Sequence, residues 1–173
     1  KGANLAEMCR LGIAVPPGFT ICTDVCTVYT EQGKDAVTQL ITDEVKAGVA
    51  FLEQEMGKKF GDASDPLLLS VRSGSRASMP GMMDTILNLG LNDEAVAGLA
   101  RKANNERFAW DSYRRFIQMY GDVVMGLKPV TKQEHDPFEV VIDMLKEKKG
   151  VQLDTELDTE DLKELVTRFK GLI

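Results

Sequence analysis

The spacing of hydrophobic residues predicts both helices and strands in the first half of the chain. Between residues 37 and 56, apolar side chains recur every three or four positions, which indicates a long amphipathic helix. A short helix is expected over Asn4–Leu11, and a proline-stiffened segment then leads into a short strand over Phe19–Cys22. The apolar positions of the long helix are Val37, Leu40, Ile41, Val45, Val49, Leu52 and Met56.

Two short apolar runs farther along the chain are typical of strands. Leu67–Val71 follows Pro66 and precedes a loop rich in glycine and serine, so we expect a buried strand there. Thr85–Leu89 is the second run, and the sequence GLND ends it. The loop between the two runs is therefore predicted to be held by a strand on each side.

From residue 92 onward only helical spacing remains. The first helical segment opens with a capping residue and acids, and the last two close with lysines and a glycine. The pattern predicts an α+β protein with a mixed lobe over residues 1–91 and a helical lobe over residues 92–173. The four helical segments are NDEAVAGLARKA, NERFAWDSYRRFIQMYG, DPFEVVIDMLKEKKG and TEDLKELVTRFKG.

Composition and charge narrow the classes of function. The chain has 173 residues, and 43% of them are hydrophobic, which suffices for a sizeable core. Its 21 basic and 27 acidic residues give a net charge of −6 at pH 7, which argues against a surface that coats nucleic acid. No apolar run approaches the roughly 20 residues needed to cross a bilayer, so no membrane span is expected.

The three cysteines, Cys9, Cys22 and Cys26, bear on the cellular compartment. Their number is odd, and the spacing of Cys22 and Cys26 lacks the pairs and histidines of a zinc site. We therefore interpret them as reduced thiols that fill space in a cytoplasmic protein, with an organelle left open.

Arg72 and Arg76 are the residues that point most directly to a ligand. Both follow a predicted buried strand, and small residues surround them, so backbone N–H groups can converge on an anion while the guanidinium groups bind its oxygens. Phosphate binding is one interpretation, and internal salt bridges to acids such as Asp62 or Asp84 are the other. The loop matches neither a Walker sequence nor a dinucleotide-binding fingerprint.

Residues after Arg76, and the first residue of the chain, are further candidates for contact with a phosphate ligand. Gly81 follows a proline in a turn and can let a ligand approach closely. Met83 and two neighbouring methionines fit either core packing or a loop that covers a flat ring or a phosphate chain. Lys1, just before a predicted helix, is either a phosphate contact or merely the terminal residue.

Three other features have ordinary explanations. His135 lies in a polar connector without the context of a catalytic histidine, so we expect it to be exposed. The acidic stretch DTELDTEDLKEL lacks the glycine and the final glutamate of a calcium loop. The aromatic residues around Trp110 have the spacing of a helix that packs against a core.

Four stretches of the chain resemble the pyruvate, phosphate dikinase family. They are KGANLAEM, VPPGFTI, SVRSGSRASMPGMMDTILNLGLND and ERFAWDSYRRF, and they occur in order over essentially the whole chain. The resemblance implies the first lobe of an ATP-grasp nucleotide-binding domain followed by a helical subdomain. It implies that ATP is the ligand.

The resemblance also assigns roles to particular residues. In the family a lysine and an arginine in these motifs contact the ATP phosphates. The resemblance therefore implies that Lys1 and Arg72 are the phosphate contacts here. Arg76 matches the second arginine of the same family motif. In the family a loop closes over the phosphate chain of ATP, and the resemblance implies that Gly81 and Met83 of this loop contact the phosphates directly.

The resemblance implies that most of the chemistry lies outside these 173 residues. The family converts ATP, phosphate and pyruvate into AMP, pyrophosphate and phosphoenolpyruvate through a phosphohistidine. That histidine, the ligands of the Mg²⁺ that accompanies ATP, and the pyruvate-binding barrel match nothing in this chain. We therefore expect no catalytic residue and no metal ligand in the segment, and we expect the remaining domains of the same enzyme as partners.

Two alternatives stay open alongside this interpretation. The segment could act as a non-catalytic binding or assembly module, or it could belong to a related dikinase with another acceptor, such as phosphoenolpyruvate synthase or a water dikinase. A homodimer is one arrangement open to the full-length enzyme.

Overall fold

A computed structural model describes residues 1–74, 84–129 and 135–173 of the chain. Two compact units divide these residues: one holds residues 1–58 with Gly74, and the other holds residues 59–73 and those from 84 onward. In the described residues no helix has the length and apolar character needed to traverse a bilayer. The mixture of helices and small sheets confirms the predicted α+β class.

The first unit consists of three helices and an extended segment. Helix α1 spans Gly2–Arg10, α2 spans Asp24–Gln32 and α3 spans Lys34–Met56. The first and third confirm the predicted helices, whereas α2 was not predicted. Gly33 directly follows α2 and Gly57 directly follows α3, and each has the positive φ that commonly stops a helix.

The strand predicted over Phe19–Cys22 is wrong. Residues 13–22 belong to no helix or strand, and no strand in the described part of the chain pairs with them. The Phe19 ring packs closely on α3, because a Cβ added at Gly48 would lie 2.7 Å from it. A β-type sequence pattern becomes a strand only where another strand offers hydrogen bonds, and none of the described strands does so here.

The second unit contains two small sheets. In the first, β1 (Lys59–Phe60) runs parallel to β2 (Pro66–Leu67), and in the second, β3 (Leu69–Arg72) is antiparallel to β4 (Thr85–Leu89).

The predicted buried strand over Leu67–Val71 is therefore split between two sheets, and its burial was overestimated. Leu67 is 3% exposed, but Val71 is 49% exposed, and the register shifts between Leu69 and Val71. The strand predicted over Thr85–Leu89 is confirmed.

Four helices complete the second unit: α4 (Ala95–Ala103), α5 (Glu106–Val123), α6 (Pro137–Lys149) and α7 (Thr159–Lys170). Short polar side chains start three of them. The Asn105 carboxamide accepts a hydrogen bond from a backbone N–H at the start of α5, Asp136 does so for α6, and Asp158 does so for α7. The capping residue that the sequence predicted precedes α4, where the Asn92 side chain accepts from the Glu94 and Ala95 N–H groups at 2.9 and 2.7 Å.

The core of the second unit lies between its helices. Helix α5 packs against α4, α7 and β4, and α6 packs against α7. Two rings meet edge to face in this core, with the centroids of Phe138 and Phe169 4.8 Å apart. Strands β3 and β4 thus group with the helices here, while the predicted domain division at residue 91 stays a prediction. The core residues are Leu91, Ala95, Val96, Ala109, Tyr113, Ile117, Phe138, Ile142, Leu145, Leu157, Leu162, Leu165, Val166 and Phe169.

Candidate functional site

Arg72 is the last residue of β3, at the point where the hairpin opens into the Gly/Ser-rich loop. It pairs with Thr85 of β4 in the ladder. The next residue closes the base of the loop, since the Ser73 backbone N–H and the Ser73 hydroxyl both donate to the Asp84 carbonyl, at 3.1 and 3.0 Å. Hydrogen bonds between β3 and the residues at the start of β4 therefore hold the backbone at Arg72 in place.

Internal salt bridges were the alternative explanation for this arginine. Asp62 is occupied locally: its carboxylate accepts from the Ser64 N–H at 2.7 Å, the Ser64 hydroxyl at 2.6 Å and the Asp65 N–H at 2.8 Å. These hydrogen bonds lower the pKa of Asp62 to about 2. Its carboxylate therefore stays ionised through bonds that do not involve Arg72.

The second candidate acid, Asp84, pairs with a lysine instead. The Lys128 ammonium lies 3.8 Å from the Asp84 carboxylate, and both side chains are exposed. Within the described parts of the chain, Arg72 forms no ion pair with any carboxylate, and it is exposed. Its charge is thus presented to solvent, as an anion-binding role requires.

Lys1 lies where a helix begins, as the sequence predicted. Helix α1 starts at Gly2, Lys1 occupies the N-cap position, and the Leu5 N–H donates to the Lys1 carbonyl at 3.1 Å. Gly2 is in close contact with the Thr20 side chain, because an added Cβ would lie 2.7 Å from it. Lys1 belongs to the first unit and Arg72 to the second, and each is described within its own unit.

The other three candidate residues, Arg76, Gly81 and Met83, lie in residues 75–83, outside the described residues. Their predicted roles remain predictions.

A glycine and a buried leucine anchor the hairpin on the rest of the second unit. Gly90 directly follows β4 with a φ of +115°, and an added Cβ would lie 2.6 Å from the Leu67 carbonyl oxygen. A side chain at Gly90 would therefore meet both backbone strain and a clash. Ile86 of β4 is buried, and β4 packs against α5. The hairpin is held by the helical core.

The sequence interpretation missed a buried arginine network on α5. The Arg114 side chain is 4% exposed and donates to the Asp111 carboxylate at 3.1 and 2.8 Å, with the Asp154 carboxylate 3.7 Å away. Arg107 donates to the backbone carbonyls of Leu157 and Asp154 at 2.8 and 2.9 Å. These contacts join α5 to the segment before α7, so the network is structural. The spacing of Asp111 and Arg114, three apart on a helix, was the signal.

Asp122 is a second residue that sequence reasoning missed. One oxygen of its carboxylate is buried without a hydrogen-bond partner in the described part of the chain. Burial, reinforced by the negative charges of Asp136 and Glu139, raises the pKa of Asp122 to about 6, although Lys128 opposes the shift. No sequence pattern marks this residue, because the effect depends on how closely the end of α5 approaches the start of α6.

The remaining predictions about chemistry can be compared with the described residues. His135 is exposed, as predicted. Cys9, Cys22 and Cys26 are free thiols, but all three are exposed, so they do not fill space in a core as expected. Among the described residues, no group of three or more His, Cys, Asp or Glu side chains could hold a metal ion. The described residues thus contain no dedicated cluster of metal ligands.

Comparison with known proteins finds similarity to pyruvate, phosphate dikinases both in a family model and in individual proteins. Residues 37–120 match the family model described as pyruvate phosphate dikinase, AMP/ATP-binding domain. The chain is 59% identical, over 99% of its length, to the pyruvate, phosphate dikinase of Clostridium symbiosum, and 55% identical, again over 99%, to the chloroplastic enzyme of Mesembryanthemum crystallinum. It is 53% identical over its full length to the enzyme of Rhizobium meliloti. It spans 19%, 17% and 18% of these three proteins.

Proposed function

The chain belongs by sequence to the pyruvate, phosphate dikinases, and we propose that it binds ATP as one segment of a longer enzyme of that kind. One observation carries the proposal: identity of 53–59% to the three enzymes extends along the whole chain. The matched AMP/ATP-binding region, residues 37–120, includes the loop between β3 and β4. We further propose that the fold is the first lobe of an ATP-grasp domain with a helical subdomain.

Arg72 is proposed to bind the β- and γ-phosphates of ATP. Its exposed guanidinium at a fixed strand end, without a carboxylate partner in the described residues, supports this role. Phosphoryl transfer depends chiefly on alignment and charge neutralisation, which a preorganised cation supplies. Arg76 is proposed to add a second guanidinium, Lys1 a point charge, and Gly81 and Met83 direct contacts from a loop over the phosphate chain.

The reaction proposed for the longer protein converts ATP, phosphate and pyruvate into AMP, pyrophosphate and phosphoenolpyruvate through a phosphohistidine. No residue of this segment is proposed to react covalently. The ligands of the Mg²⁺ that accompanies ATP are proposed to come from elsewhere in the longer enzyme.

The rate of ATP-dependent histidine phosphorylation in the longer enzyme tests the role of Arg72. Replacing a preorganised charge contact costs about 3 kcal/mol, so Arg72→Ala should slow this step roughly a hundredfold. Arg101→Ala is the matched control, because Arg101 is an exposed arginine on α4 of the same unit. A rate for Arg72→Ala within about twofold of the control would remove Arg72 from the mechanism.

A second candidate applies to the segment in isolation. Because it spans only 17–19% of the three relatives, the 173-residue segment alone is proposed to act as a non-catalytic lobe that binds ATP only weakly. Calorimetry of the 173-residue chain with ATP, in the presence and absence of Mg²⁺, tests this. A dissociation constant of about 1 µM that depends on Mg²⁺ would contradict it, since such binding needs a complete site.

A further inference from the structure

Lys128 reaches the base of the Gly/Ser-rich loop from the helical part of the second unit. It follows α5, and the backbone next to it is held in place, because the Leu127 N–H donates to the Gly121 carbonyl at 3.1 Å and the Leu127 side chain packs against the core. The Lys128 ammonium lies 3.8 Å from the Asp84 carboxylate, although 67% of the lysine side chain and 53% of the aspartate side chain are exposed. The helical core thus places a cation beside the residue that precedes β4.

Asp84 is joined to Arg72 through the backbone of the hairpin. The Ser73 N–H and hydroxyl donate to the Asp84 carbonyl, and Arg72 pairs with Thr85. Side chains alternate between the two faces of a strand, and Ile86 is buried towards the helices. Asp84 therefore lies on the helical face with Ile86, whereas Thr85 and its partner Arg72 lie on the other face. The lysine contacts the hairpin from the side opposite the arginine.

A second carboxylate, that of Asp122, lies within electrostatic reach of Lys128. One of its oxygens is buried without a hydrogen-bond partner in the described part of the chain, which is an unfavourable state for a charged group. Asp136 and Glu139, at the start of α6, add negative charge around it, and Lys128 is the cation that opposes them. Of the two acids that attract Lys128, Asp84 is the one within ion-pair distance.

We propose that Lys128 is a positioning residue for Arg72: it holds the Asp84 carboxylate and so steadies the base of the loop, while Asp122 competes with Asp84 for the same ammonium. The purpose of this contact rests on the proposed function, in which Arg72 binds the phosphates of ATP. Exposed ion pairs contribute little, so loss of the lysine should change the order of the loop base by about twofold to fivefold.

Hydrogen–deuterium exchange of the Ser73 amide in the longer enzyme tests the inference. This amide donates to the Asp84 carbonyl, so it reports on the loop base without any nucleotide. Lys128→Met should speed its exchange by about twofold to fivefold, and Lys128→Arg, which keeps the charge, should restore the slower rate. Lys148→Met is the matched control, because Lys148 is 64% exposed and lies 3.9 Å from the Glu164 carboxylate. Equal exchange in Lys128→Met and Lys148→Met would overturn the inference.

The pH dependence of this effect tests the competition by Asp122. The pKa of Asp122 is about 6, so below that pH its carboxyl is mostly neutral and attracts the lysine less. The ratio of the Ser73 exchange rates with and without Lys128→Met should therefore be larger at about pH 5 than at about pH 7.5, and Asp122→Asn should make it the same at both. His135→Gln is the control, since an unperturbed histidine also changes charge in this range. A ratio that did not vary with pH would contradict the competition.

ATP affinity of the same variants separates this inference from the proposed function. Lys128→Met should weaken ATP binding by about twofold to fivefold, less than Arg72→Ala, because it displaces the guanidinium without removing it. Faster Ser73 exchange in Lys128→Met, with ATP affinity unchanged even in Arg72→Ala, would refute the phosphate role of Arg72 and leave the contact at the loop base standing. Weaker ATP binding in Arg72→Ala, with Ser73 exchange or ATP affinity unchanged in Lys128→Met, would support the proposed function and overturn the positioning role.

Discussion

Gly98→Ala should destabilise the second unit, although the substitution normally strengthens a helix. Gly98 lies within α4, where the backbone of residues 63–64 crosses it closely. An added Cβ would lie 2.3 Å from the Ala63 carbonyl oxygen and 2.7 Å from the Ser64 carbonyl oxygen. Both atoms belong to the backbone, so no side-chain rotation relieves the clash. The crossing segment leads directly into β2 and β3, which present Arg72.

The magnitude follows from two opposing effects. Alanine gains about 1 kcal/mol over glycine in a helix interior. Overpacking of a close contact costs about 1–3 kcal/mol, and more where neighbours cannot move. The Asp62 carboxylate holds this segment through three hydrogen bonds from Ser64 and Asp65, so the segment cannot easily move away. The cost of overpacking should therefore lie at the upper end of this range. We expect a net loss of about 2 kcal/mol in the free energy of unfolding.

Urea unfolding followed by tryptophan fluorescence measures this change. Trp110, the single tryptophan of the chain, lies on α5 in the second unit and so reports on the affected part. Gly18→Ala is the control, because the nearest atom to an added Cβ there is 4.0 Å away. If Gly98→Ala unfolded at the same or a higher urea concentration than the wild type, the close approach of the segment to α4 would be refuted.

Two further predictions concern charged groups of the second unit. Arg114→Met should lower the free energy of unfolding by about 2–3 kcal/mol. This loss is smaller than that expected for a fully buried ion pair, because Asp154 is partly exposed. In the same urea assay, the double variant Arg114→Met with Asp111→Leu should recover part of the loss. Asp122 has a folded-state pKa of about 6, above its ordinary value of 3.8, so the folded state holds the proton more tightly. Its contribution to stability should therefore fall as pH rises from about 4 to 6. Asp122→Asn should flatten that slope and add about 1 kcal/mol at pH 7, a figure reduced for solvent screening; an unchanged slope would contradict the shift.

Periodicity and capping residues were sufficient to predict most helices. The apolar spacing of α3 and the capping residue Asn92 before α4 depend on local sequence, so they were predicted correctly. Helix α2 was missed because DVCTVYTEQ contains β-branched residues and no clear apolar stripe, although Asp24 in its first turn and Gly33 at its end were usable signals.

The errors concern strands, whose formation depends on partners distant in sequence. The Phe19–Cys22 pattern lacks a partner among the described strands, and Val71 is 49% exposed. The candidate site was predicted only in part, because some of its contacts also depend on residues distant in sequence. The place of Arg72 at a strand end follows from local pattern, whereas the hydrogen bonds that occupy Asp62 and the burial of Asp122 depend on tertiary contacts.

Binding of ATP and of AMP to the longer enzyme tests the central claim most directly, namely that Arg72 holds the phosphates beyond the first. A hydrogen-bonded charge contact contributes about 1.5–3 kcal/mol, so Arg72→Ala should weaken ATP binding by roughly 10- to 100-fold. AMP lacks those phosphates, so its affinity should stay within about twofold of the wild type. Equal weakening for both nucleotides, or for neither, would contradict the account.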